Sequence, residues 1–185
     1  MLWICCSRSK RRANAMPQDD KALLSRLQSH DVAFVIIGGV CGLMHGVPLV
    51  TRDLDICCSF STENLRRLES AVSDLHPSHR LAANKLPLQL TDELCSRLKN
   101  LYLHTDLGTL DCLSEVAGIG GYEQALERSV SYHLSYGDFR ILNIDALIAA
   151  KEAVGRERDR EAVRYLRAIK ERNDRRGDRR GPDTI

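Results

Sequence analysis

Arg52-Asp53-Leu54-Asp55-Ile56 carries two carboxylates two positions apart, each followed by an aliphatic side chain. On a β-strand, successive side chains alternate between faces, so Asp53 and Asp55 project to one side while Leu54 and Ile56 project to the other. One face then belongs to a core and the other to a polar site. Two like charges at that spacing repel, and a cation or a hydrogen-bond network is needed to hold them together. Mg²⁺ is such a cation: it takes hard oxygen ligands and is typically held by one or two carboxylates together with substrate phosphates.

Upstream, Ala33-Phe34-Val35-Ile36-Ile37 is an apolar, β-branched run of strand length, which reads as a central strand buried on both faces. Gly38-Gly39 ends it, and residues 40–45 suit a short helix whose first amides lack intrahelical acceptors and so suit an anion. A phosphate approaches a backbone most closely where no Cβ intervenes. Gly46-Val47-Pro48 closes this helix. Downstream, Asp111 lies in the apolar run Leu110-Asp111-Cys112-Leu113, where a lone buried carboxylate is costly. On a strand beside the one bearing Asp53 and Asp55, it would complete a three-carboxylate cluster able to hold two metals.

The remaining pattern predicts an α/β fold. A helix runs from an Asp19 or Asp20 cap to about His30 with Leu23, Leu24 and Leu27 inward. Residues 51–58 form the aspartate strand, and Ser61 caps a helix reaching about Leu75. Residues 76–98 are broken by Pro77 and Pro87, with a short helix from Thr91 to Leu98. A hairpin spans 101–113, a loop 118–121, one or two helical turns 122–128, and more strand 130–142. Asp145 is expected to cap a helix ending at Gly155. Residues 159–172 form a second amphipathic helix with Val163, Leu166 and Ile169 inward. The whole is a mixed sheet flanked by helices and closed by a C-terminal helical pair. The expected segments are a disordered leader (1–17), a core (18–143), the C-terminal helices (144–172) and a disordered tail (173–185).

The 185 residues, 43% hydrophobic and 28% charged, are globular values that exclude a disordered or membrane class. The apolar MLWICC precedes the basic SRSKRR, the reverse of a secretory signal, and is too short to span a bilayer. Seven cysteines (5, 6, 41, 57, 58, 95, 112) include adjacent pairs but no C-x-x-C, so reduced thiols and a cytoplasmic location are expected. The net charge of +2 is uneven: residues 13–155 hold 12 Lys/Arg against 18 Asp/Glu, and residues 156–180 hold 11 against 6. The acidic centre suits a metal site, and the basic end suits either a solvated helix or nucleic acid. His45, His104 and His133 have no metal-ligand spacing, and Cys57, Cys58 and Cys112 read as small buried hydrophobes.

Gly38-Gly39, a short helix, Thr51-Arg52-Asp53-Leu54-Asp55 and a later Asp111 together resemble the nucleotidyltransferase (DNA polymerase beta-like) superfamily. Its motif is Gly-Gly or Gly-Ser, then Asp-x-Asp, then a third acidic residue. Leu147-Ile148-Ala149-Ala150-Lys151, Gly155-Arg156 and Arg158-Asp159-Arg160 resemble the small bacterial branch that includes abortive-infection type nucleotidyltransferase toxins. The resemblance spans about residues 20–170.

It implies that Gly38, Gly39 and Arg52 meet the nucleotide phosphates, that Asp53 and Asp55 hold Mg²⁺ or Mn²⁺, and that Asp111 holds a metal or takes the nucleophile's proton. Lys151 and Asp159 would line the nucleotide pocket. The implied substrate is a nucleoside triphosphate, and the acceptor is a hydroxyl on an RNA end, a protein or a small molecule. The resemblance permits, without requiring, a toxin role held in check by an antitoxin protein. The chain departs from the pattern at Gly39, where many relatives place a serine that bonds a phosphate oxygen. The reading from another class is a non-catalytic nucleotide-binding or protein-interaction module, against which three mutually repelling carboxylates argue.

Overall fold

In the computed structural model, residues 18–82 and 86–178 are described. The expected leader and the end of the expected tail lie outside that range. Asp19 caps α1 (Asp20–Ser29), its carboxylate accepting from the Ala22 amide at 2.9 Å, and Leu23, Leu24 and Leu27 are fully buried. There follow β1 (Phe34–Ile36), α2 (Gly38–His45), β2 (Asp53–Cys58), α3 (Thr62–Val72) and the short β3 (Ser78–His79). Next come α4 (Asp92–Arg97), the hairpin β4 (Asn100–Thr105) and β5 (Gly108–Leu113), β6 (Glu115–Val116), β7 (Gly120–Gly121) and α5 (Tyr122–Glu127). The chain continues through the hairpin β8 (Ser129–Leu134) and β9 (Gly137–Leu142) into α6 (Ile144–Val154) and α7 (Glu157–Asp178).

Seven strands form one mixed sheet in the order β3-β4-β5-β2-β1-β9-β8. The pairs β2–β5 and β1–β9 are parallel, and the other pairs are antiparallel. The expected α/β architecture is therefore the observed one, with the aspartate strand and the Asp111 strand side by side. β2 lies near the middle of the sheet, and Leu54, Ile56 and Cys58, which alternate with the aspartates, are wholly excluded from solvent. Helices α1 and α3 pack on each other, α2 packs on β2 and α6, and α6 packs along α7. Leu65, Leu68 and Val72 of α3 and Val163, Leu166 and Ile169 of α7 face inward as their spacing requires.

Several boundaries depart from the sequence pattern for local reasons. α2 starts at Gly38, not after the glycine pair, because Gly38 at φ +62° turns the chain straight from β1 into the helix. The α6 cap is Asn143, which accepts from the Ala146 amide at 2.8 Å; Asp145 sits in the first turn, two residues past the cap, and pairs with Lys170. The expected loop at 118–121 contains β7, which pairs with β6. The strand-like stretch 130–142 is two strands, because Ser135 and Tyr136 form a turn completed by Gly137 at φ +152°. Finally, α7 continues to Asp178 instead of ending near Arg172; Glu171 and Arg175 form an i,i+4 pair at 3.8 Å along that extension.

Candidate active site

The parallel register of β2 and β5 sets Asp55 beside Asp111 and Asp53 beside Thr109. Neighbours in register project to the same face, so three carboxylates separated along the chain meet above one patch of sheet. One oxygen from each of Asp53, Asp55 and Asp111 lies within 4.8 Å of the others. Unit charges about 4 Å apart near a protein surface repel by roughly 4 kcal/mol. Such a cluster is tolerable only with protons, donors or cations close by.

The glycine pair reaches the same place. A Cβ on Gly38 would stand 2.1 Å from Asp55 Oδ2, and one on Gly39 would stand 2.5 Å from Thr51 Oγ1. Only a bare backbone lets α2 begin against the carboxylates, and the Gly39 amide donates to Asp55. The first turn of α2 has no acidic residue and no side-chain cap. The absence of serine at 39 has a physical cause here. Thr51 already fills that space, its hydroxyl donating to the Asp53 carbonyl at 3.2 Å.

Burial, and after it the charges of Asp53 and Asp111, push the Asp55 carboxyl up to about 6, while the Gly39 amide and Lys151 pull it the other way. Burial also raises Asp111, which is only 6% exposed, although Arg80 counters the rise. Arg80 Nη2 donates to Asp111 Oδ2. The other Asp111 oxygen, Oδ1, is buried without a hydrogen-bond partner among the described residues. An orphaned buried oxygen in a cluster of hard donors is a site that a divalent cation satisfies, and the three aspartates fit Mg²⁺ or Mn²⁺ on that ground.

The triad opens into a cavity of about 970 Å³. Gly38, Gly39, Arg52, Lys151 and Asp159 all line it together with the three aspartates. Lys151 on α6 and Asp159 on α7 form an ion pair at 3.3 Å, each side chain 13% exposed, which closes one wall. Arg156 and Arg158 extend that wall with exposed cationic groups.

Arg80 and Tyr102 also line the cavity, and neither is distinguished by the sequence pattern. Arg80 lies in the aperiodic stretch 76–98, where a single basic residue carries no signal. The histidines go elsewhere: His45 Nε2 bonds the Leu142 carbonyl at 2.7 Å, His133 pairs with Asp138, and His104 meets the Thr109 hydroxyl at 3.3 Å. Cys57, Cys58 and Cys112 are fully buried, as the sequence reading expects of small hydrophobes, and burial pushes the Cys57 thiol up to about 12.

These features define an α/β protein with a three-carboxylate site at the start of a glycine-led helix. No family model and no curated protein sequence matches the chain. Among solved structures, JHP933 from Helicobacter pylori superposes with a TM-score of 0.43 at 18% identity, over 78% of this chain and 61% of that one. A candidate nucleotidyltransferase from H. pylori superposes with a TM-score of 0.39 at 19% identity, over 70% of this chain and 53% of that one. The chain thus spans about six tenths of the first and half of the second.

Proposed function

We infer that this protein is a metal-dependent nucleotidyltransferase, moving a nucleoside monophosphate from a nucleoside triphosphate to a hydroxyl acceptor and releasing pyrophosphate. The observation that carries the reading is the Asp55–Asp111 register, which joins three carboxylates beside the uncapped start of α2. Asp53, Asp55 and Asp111 would hold Mg²⁺ or Mn²⁺, which when bound neutralises charge on the phosphoryl oxygens and leaving group.

The protein's own groups supply the rest. Gly38 and Gly39, with no Cβ in the way, let phosphate oxygens approach the positive end of the α2 dipole. Arg52 and Lys151 add positive charge to the same wall, and Asp159 holds Lys151 in place. The acceptor oxygen attacks the α-phosphorus, a new P–O bond forms, and the bond to the bridging oxygen of pyrophosphate breaks. Asp111, whose Oδ1 has no hydrogen-bond partner among the described residues, either joins Asp53 and Asp55 in holding the metal or takes the acceptor's proton. The acceptor is a hydroxyl of an RNA end, a protein side chain or a small molecule. The exposed arginines of α7 favour RNA. Control by an antitoxin protein fits this reading without being required by it.

The test uses the protein with each of the four nucleoside triphosphates, labelled in separate runs at the α- or γ-phosphate, together with Mg²⁺ or Mn²⁺ and total RNA or lysate. Transfer of α-label alone, lost in Asp53→Ala, is the expected result. Transfer of γ-label would make it a kinase instead. Nucleotide binding without transfer of either label would mean a non-catalytic module.

A further inference from the structure

Arg80 is the one cation in direct contact with the triad among the described residues, and nothing in the two-aspartate motif calls for it. Its backbone amide bonds the Tyr102 carbonyl at 2.9 Å, and its guanidinium carbon stands 5.5 Å from the centre of the Tyr102 ring. Tyr102 is in turn the register partner of Asp111 across β4 and β5. Backbone, ring and carboxylate therefore hold the guanidinium at the mouth of the carboxylate cluster. Yet the fit is incomplete: Nη2 bonds Asp111 Oδ2, while Arg80 Nε and Asp111 Oδ1 are both buried with no partner among the described residues. A paired arginine normally meets a carboxylate with two parallel bonds. This one covers half of Asp111 and leaves the other oxygen to the cluster.

From this geometry we propose that Arg80 is the resident counter-cation of the triad and opposes the loading of a lone divalent ion there. The proposal rests on the reading of Asp53, Asp55 and Asp111 as the metal site. An ion seated among the three carboxylates would lie beside a fixed guanidinium, and like charges in a partly buried site repel strongly. Arg80 also orients Asp111, which acts in the opposite direction, but that contribution is the smaller one. Asp111 is 6% exposed and its backbone is fixed by strand pairing on both sides, so its side chain stays on the cavity face without Arg80. An ion that arrives carrying phosphates meets no such barrier, since their negative charge pairs with the guanidinium as the ion takes the carboxylates. Arg80 thereby makes the site select an ion–polyphosphate complex over the free ion.

The experiment is Mn²⁺ binding without nucleotide, followed by loss of the free-ion electron paramagnetic resonance signal, in the unaltered protein, Arg80→Gln, Arg80→Lys and Asp55→Asn. Arg80→Gln is expected to bind Mn²⁺ about tenfold more tightly than the unaltered protein. Arg80→Lys keeps the charge and is expected within about twofold of the unaltered protein; Arg80→Met replaces the glutamine variant if that one does not fold. Affinity that is unchanged or weaker in the neutral variant, with Mn²⁺ still bound by the unaltered protein and lost in Asp55→Asn, overturns the role of Arg80 and leaves the metal site standing. Absence of Mn²⁺ binding in every form overturns both.

Discussion

At the scale of single residues, Asp55 concentrates the tension of the site. It is squeezed between a glycine backbone that tolerates no Cβ and two like charges, and its carboxyl is raised from 3.8 to about 6, chiefly by burial. A carboxyl raised in the folded state stabilises the fold while protonated. That contribution is full below pH 3.8 and is lost as pH rises through about 6, a change of about 3 kcal/mol. Asp55→Asn keeps an acceptor for the Gly39 amide and removes the charge. Metal-free Asp55→Asn should therefore melt about 6 to 12 °C above the unaltered protein at pH 8, with the gap closing below pH 4. Thermal denaturation across pH in a chelating buffer checks this, and a variant less stable at pH 8 would make Asp55 a structural residue. Thr51 adds a residue-scale lesson: its hydroxyl fills the space next to Gly39, so the missing serine reflects local packing.

At the scale of elements, the wall opposite the sheet depends on one buried ion pair between α6 and α7. Lys151 and Asp159 are each 13% exposed at the side chain, so removing one partner strands the other in a poorly solvated place. Asp159→Asn is expected to cost about 3 kcal/mol in urea denaturation, whereas the double change Lys151→Met with Asp159→Leu should recover most of that loss. On the proposed reading the double variant should still fail to transfer a nucleotide, which would separate a part in nucleotide binding from the pair's contribution to stability.

The elements also show what a sequence displays and what it hides. β2, β5 and the inward leucines of α1 and α3 are legible because their alternation or helical spacing persists over several residues. β3 is two residues long and has no period to read. The α6 cap falls on Asn143 because two good capping residues stand two positions apart, and backbone direction alone chooses between them. Arg80 is invisible for a stronger reason, since its partner lies far along the chain and only the β4–β5 pairing brings them together.

At the scale of the whole molecule, the sheet separates two chemistries on its central strands: carboxylates toward the cavity, and Leu54, Ile56 and Cys58 toward the core. The cysteines at 41, 57, 58, 95 and 112 are all buried. In native protein these five thiols should resist iodoacetamide, and should react together once denaturant passes the unfolding midpoint. Peptide mapping by mass spectrometry checks this, and modification of any of the five in the native state would show that the core opens locally. No helix among the described residues is long and apolar enough to cross a membrane.

The parallel pairing of β2 with β5 has a temporal meaning as well. While the polypeptide is still being made, Asp53 and Asp55 leave the ribosome long before Asp111, and β9, the parallel neighbour of β1, emerges later still. A nascent fragment ending anywhere short of β5 holds at most two of the three carboxylates. The three-carboxylate cluster therefore comes into being only when β5 has been made and has paired with β2.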